Sequence, residues 1–112
     1  MTEARLAASV EASAWMRRVT ADGGFATILA KGDAERGALL LIVTERGRHV
    51  AVLERMLNAW GEYSWHPNGP ESEAPATGEW LQKRRRNDPD LWLIELDVPD
   101  AERFIAETTA KG

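Results

Sequence analysis

The feature that most limits how this 112-residue chain can fold is an unbroken apolar run, Ala38-Leu39-Leu40-Leu41-Ile42-Val43. It has the length of a strand and falls far short of the roughly 20 residues that cross a bilayer as a helix. Without polar positions of its own, it predicts a central strand covered on at least one face. A second strongly apolar stretch, Leu91-Trp92-Leu93-Ile94-Glu95-Leu96, predicts another strand.

Helical spacing surrounds these runs. Residues 3–21 are alanine-rich, lack Gly and Pro, and place Ala12, Trp15, Met16 and Val19 on one stripe. Leu6 and Val10 extend that stripe backwards, and Asp22-Gly23-Gly24 ends the helix. Strands are expected over 24–30, 38–44, 49–56 and 62–66, with Tyr63 and Trp65 sharing a face of the last. The glycine-bounded segment Lys31 to Gly37 joins the first two, and turns at Glu45–Arg48 and Asn58–Gly61 join the others. Residues 67–74, rich in proline and acid, read as a surface loop.

A second helix is expected over 75–87, with Pro75 in its first turn and Trp80 and Leu81 on its buried side. Asn87-Asp88-Pro89 stops it, because the residue before proline leaves the helical region. A strand over 91–97 and a short helix over 99–108 complete the chain. This order predicts one α+β domain spanning 1–112. Its sheet would be mainly antiparallel and five-stranded, a four-strand meander plus a C-terminal strand, with the two main helices packed on one face.

Composition removes several chemistries. The chain has no cysteine, which excludes disulfides, thiolate metal sites and a thiol nucleophile. A net charge of −4 argues against a generally basic surface for nucleic acid or anionic lipid. The N-terminus Met1-Thr2-Glu3-Ala4-Arg5 lacks the charged start and apolar core of a secretion signal, so the expected location is the cytoplasm.

The polar residues suggest few sites. Ser64 and His66 sit two apart on one strand, but an orienting acid and an oxyanion hole are missing, and they read as solvent-side residues. Asp88, Asp90, Glu95 and Asp97 are oxygen ligands of the kind that hold magnesium or calcium. A nuclease built on Pro89-Asp90 would need a lysine two residues after the next acid, where Glu95 is followed by Leu96 and Asp97. Those acids therefore read first as turn formers and a solvated strand face.

Lys83-Arg84-Arg85-Arg86 is the chain's one block of like positive charge, set between acidic stretches. With Trp80 it suggests a nucleic-acid contact. The acidic flanks and the pull of a helix C-terminus on cations favour a structural role instead. Lys31 to Gly37 lacks the Gly-Lys-Ser/Thr ending of a phosphate loop.

Among the five tryptophans, Trp15, Trp80 and Trp92 fall on expected core positions. Trp60 stands in a turn beside Met56 and Leu57, where no periodicity hides it, and Trp and Met are enriched at interfaces.

Gly24-Phe25-Ala26, Lys31-Gly32-Asp33 with Gly37, Leu53-Glu54-Arg55-Met56 and above all Asp88-Pro89-Asp90-Leu91-Trp92 carry a family likeness. From Arg5 to Glu102-Arg103-Phe104-Ile105 the chain resembles a bacterial family known as domain of unknown function 1491. The resemblance implies a small cytoplasmic protein of unassigned activity and supplies no catalytic residues.

The expected function is a non-enzymatic interaction or accessory domain that self-associates or docks a protein partner. Its contacts would come from Met56, Leu57, Trp60 and Lys83 to Arg86, without cofactor or membrane. The alternatives are a divalent-metal-assisted or nucleotide-handling enzyme using the four acids, and nucleic-acid binding through the basic helix end.

Overall fold

The computed structural model describes residues 6–70 and 76–110. The expected helix start at 3–5, loop positions 71–74 and Pro75 lie outside the described residues. In chain order the elements are α1 (Ala8–Ala21), β1 (Phe25–Ala30), β2 (Leu39–Glu45) and β3 (Arg48–Leu57). They continue with β4 (Tyr63–Pro67), α2 (Ala76–Asn87), β5 (Trp92–Asp97) and α3 (Ala101–Ala110). Among the described residues no helix is long and apolar enough to cross a membrane.

The fold is α+β with five strands in one sheet, but the sheet is mixed and its order is β1-β5-β2-β3-β4. The expected four-strand meander is therefore corrected: only β2, β3 and β4 follow one another. Strand β5 enters between β1 and β2, antiparallel to the first and parallel to the second. The physical reason lies in the two apolar runs. Residues Leu39 to Thr44 are all buried, and β5 is buried at four of its six positions. Strands apolar on both faces belong at the centre of a sheet, where neighbours also satisfy both edges of their backbone. Strand β1 alternates between exposed and half-buried positions and takes an edge.

The helices divide between the two faces, which corrects the expectation that both main helices pack on one. Helices α1 and α3 cover Leu39, Leu41, Val43, Leu53, Ile94 and Leu96. Helix α2 covers Leu40, Ile42, Val52, Leu91 and Leu93 with Leu81 and Trp80. A sheet whose central strands are apolar on both sides needs both layers, since each large side chain fully buried contributes roughly 1.5–3 kcal/mol. The route of the chain agrees. Strands β4 and β5 run parallel, and a parallel return requires a crossover, which α2 makes over the face left open by α1 and α3.

Local sequence sets the helix ends. Ala7, at the α1 N-cap, offers no side-chain acceptor, so the backbone N–H groups of Ala8 and Ser9 donate to the carbonyls of Glu35 and Ala34. The buried stripe of α1 is Ala8, Ala12 and Val19, flanked by half-buried Trp15 and Met16. Leu6 and Val10 are exposed and do not extend it. At the other end Gly23 adopts φ 88°, the left-handed turn that closes a helix.

Candidate functional site

Among the described residues, the β3–β4 hairpin carries the most exposed large apolar side chain, Trp60, which is 84% exposed. The Asn58 carboxamide oxygen accepts from the backbone N–H of Trp60 and of Glu62, each at 2.9 Å, and shapes the turn below the indole. Antiparallel register pairs Leu57 with Tyr63 and Met56 with Ser64. Because neighbours on a strand point to opposite faces, Leu57 (58% exposed) and Tyr63 (63%) lie on the α1/α3 side, while Met56 (42%) lies on the α2 side. The three sequence candidates are thus split: Leu57 joins Trp60 and Tyr63 near the tip, and Met56 faces away. Tyr63 was missed because alternation groups it with Trp65. Trp65 packs edge-on against Trp15 at 5.7 Å between ring centroids, with the Arg55 guanidinium over its ring. Tyr63, one pair nearer the tip, stays exposed.

The basic helix end is largely used inside the fold. The Arg84 guanidinium donates two hydrogen bonds to the Glu54 carboxylate, at 2.8 and 2.5 Å, and sits over the Trp80 ring. Arg85 donates to the carbonyls of Leu91 and Lys31. Lys83 and Arg86 remain exposed. Two exposed cations give a weaker phosphate site than a run of four.

The Arg84 guanidinium and the Asn68 amide hold the Glu54 carboxyl below its ordinary range, with partial burial opposing them. The pair also raises Arg84. A carboxyl with a depressed folded pKa contributes stability in full above its unfolded value, and that contribution is lost as pH falls through the folded pKa. The melting temperature of the wild-type protein should therefore fall more steeply than that of Glu54→Gln as the solution is acidified below about pH 4.5. Both side chains are partly exposed, so a double-mutant cycle with Arg84→Met should give about 0.5–1.5 kcal/mol of coupling. Parallel pH curves for the two proteins would contradict the assignment.

The four acids do not converge. Asp88 and Asp90 precede β5, with the Asp88 carboxylate accepting from the Asp90 N–H, while Glu95 and Asp97 lie toward its other end. Asp90 and Glu95 are about 16 Å apart along an extended chain. Asp97 accepts from the backbone N–H groups of Arg46 and Gly47 at 3.1 and 2.7 Å, which pins the β2–β3 turn. Among the described residues no three His, Asp or Glu side chains group as a metal site.

Ser64 Oγ and His66 Nε2 are hydrogen-bonded at 2.6 Å, and Ser64 is buried where a solvent-side position was expected. The acid directly across from His66 is Glu54, whose oxygens are engaged by Arg84 and Asn68.

The stretch Asp88 to Trp92 and the loop Lys31 to Gly37 form one interlocked unit. The Asp33 N–H donates to the Asp90 carbonyl at 3.0 Å, and Trp92 Nε1–H donates to the Asp33 carbonyl at 2.8 Å. Gly32 and Gly37 lie so close to the Asp90 carbonyl and the Trp92 ring that neither has room for a Cβ.

A family model described as "Protein of unknown function (DUF1491)" matches residues 6–106. The crystal structure of a DUF1491 family protein from Caulobacter crescentus superposes with a TM-score of 0.79 at 28% identity, covering 87% of this chain and 92% of that one. An NMR structure of a DUF1491 family protein from the same organism gives 0.76 at 27%, over 88% and 91%. A solution structure of a protein from A. tumefaciens gives 0.72 at 27%, over 87% and 89%. No curated protein matches the chain.

Proposed function

The chain belongs to the DUF1491 family of unknown function, and we propose that it is an interaction module that pairs with a second copy of itself along β4. The observation that carries this reading is the exposed group Leu57, Trp60 and Tyr63 on or beside β4, which ends the strand order among the described residues. Natural sheet edges are commonly blunted by charged side chains or proline; Tyr63-Ser64-Trp65-His66-Pro67 contains no Lys, Arg, Asp or Glu, and its one proline, with no N–H to donate, stands last and confines pairing to Tyr63–His66. Two copies of β4 can therefore pair antiparallel around a two-fold axis without setting like charges opposite one another. Trp and Tyr offer large apolar area at low entropic cost, as interface anchors do.

Light scattering coupled to size exclusion tests the reading. The wild-type chain should show twice its 12.4 kDa mass as concentration rises. Tyr63→Lys and Trp60→Ser should return it to one copy, while Phe25→Ser at the opposite edge should leave the pair intact. A constant single-copy mass, or a pair indifferent to both hairpin changes, would contradict it.

A further inference from the structure

A cleft of about 270 Å³ opens on the α2 side of the sheet, away from the hairpin tip. Its floor is Ile42, with Leu29 and Leu81 beside it, and Thr77 and Gly78 of the first α2 turn roof it. Besides Thr77, three polar side chains line this space: Thr44, His49 and Glu95.

Two of the three are anomalous. Thr44 is only 5% exposed, and its Oγ1 has no hydrogen-bond partner. His49 Nε2 is likewise fully buried and unpaired. Leaving a buried polar atom unsatisfied costs about 1–3 kcal/mol, and here two such atoms belong to residues paired in register on β2 and β3. Their meeting is itself built. Val43 pairs with Ala51 and Thr44 with His49, so Val50 is an extra residue that turns His49 onto the cleft side.

We propose that this cleft binds a small zwitterion with an apolar arm, of which an α-amino acid is the simplest kind. Glu95 only accepts hydrogen bonds when ionised and takes the ammonium group. The Thr44 hydroxyl and His49 Nε2, which can each donate, take the carboxylate, beneath the positive end of α2. Leu29, Ile42 and Leu81 take the apolar arm. Charge selects this class over simpler ones: an inorganic anion would meet Glu95, and a bare amine, which could donate to Glu95, Thr44 and His49, would bring no negative group to the positive end of α2. The space is several times the roughly 30 Å³ of one water molecule. The proposal is independent of pairing along β4.

NMR titration of the whole chain tests it, with L-leucine, L-methionine and L-valine as probes. Saturable shifts are expected at the Thr44 methyl and the His49 ring. The half-analogues 3-methylbutan-1-amine and 4-methylpentanoate should each bind about tenfold more weakly than L-leucine, since each lacks one charged hydrogen-bonding group. Thr44→Val should weaken L-leucine by a similar factor. So should Glu95→Gln, whose half-buried side chain guards against a variant that merely fails to fold. No saturable shift with any of the three probes would overturn the proposal. So would equal binding of the half-analogues, or indifference to Glu95→Gln.

Discussion

Gly37→Ala is expected to remove about 3 kcal/mol or more of stability, enough to leave a small domain largely unfolded. A Cβ at this position would run into the Asp90 carbonyl and lie 2.8 Å from both the Asp33 carbonyl and Trp92 Cδ1. Two of those atoms are backbone and the third belongs to a side chain that is 3% exposed, so none can give way cheaply. Gly37 also donates its N–H to the Asp33 carbonyl, so moving it loosens the turn that accepts Trp92. Gly78→Ala should act in the opposite direction. That glycine is helical with open space around its Cβ position, and alanine there should add about 0.5–1 kcal/mol. Urea unfolding of the two variants measures both, and a Gly37→Ala midpoint close to wild type would show that the loop has room this geometry denies.

The legible parts of the fold are those where one residue pattern has one physical solution. An unbroken Leu39–Val43 run cannot sit at an exposed edge, and the glycines after Asp22 end a helix wherever it packs. Strand order is different, because nearness in sequence favours β1 beside β2 while burial decides otherwise. The deciding information was nonetheless present in Leu91 to Leu96: a strand so apolar on both faces is an interior strand, and an interior strand is not an addition to a finished meander. Which face α2 covers is not encoded in α2 itself, whose apolar stripe fits either side. It follows from the parallel entry of β5 together with the right-handed sense that crossovers between parallel strands take.

For the candidate surfaces the same division holds. Trp60 stands out because its turn gives it no periodic place to pack, but a turn alone does not say whether the indole folds back onto the sheet edge, and its exposure decides that. Tyr63 does not stand out, since its exposure depends on where the cover over Trp65 stops. Lys83 to Arg86 looks uniform in sequence, yet Arg84 reaches β3 and Arg85 reaches the carbonyls of Leu91 and Lys31, just outside β5 and β1. His49 was hidden most deeply. Counting by alternation from Val52 puts it on the α1/α3 side, and only the extra residue Val50 brings it to Thr44.

The Asp-Pro-Asp-Leu-Trp stretch poses a question that substitution can answer: whether its residues matter for chemistry or for holding the chain together. Trp92→Ala is expected to cost about 3–5 kcal/mol, the range for removing a buried large aromatic. Trp92→Phe keeps part of that volume but loses the Nε1–H bond to the Asp33 carbonyl. That carbonyl still accepts from the Gly37 N–H, so the smaller variant should lose about 1–2 kcal/mol. Asp90→Ala provides the contrast. Its carbonyl meets the glycines and receives the Asp33 N–H, while the residue is exposed, so truncating the carboxylate should change stability by less than about 0.5 kcal/mol. Denaturation midpoints order the three variants directly. If Asp90→Ala were as damaging as Trp92→Ala, the carboxylate would have a stabilising role that its exposed position does not explain. If the expected order holds, the most recognisable motif in the chain is a packing device: a tryptophan clasped by a glycine-bounded loop, holding the central strand β5 in register with β1 and β2.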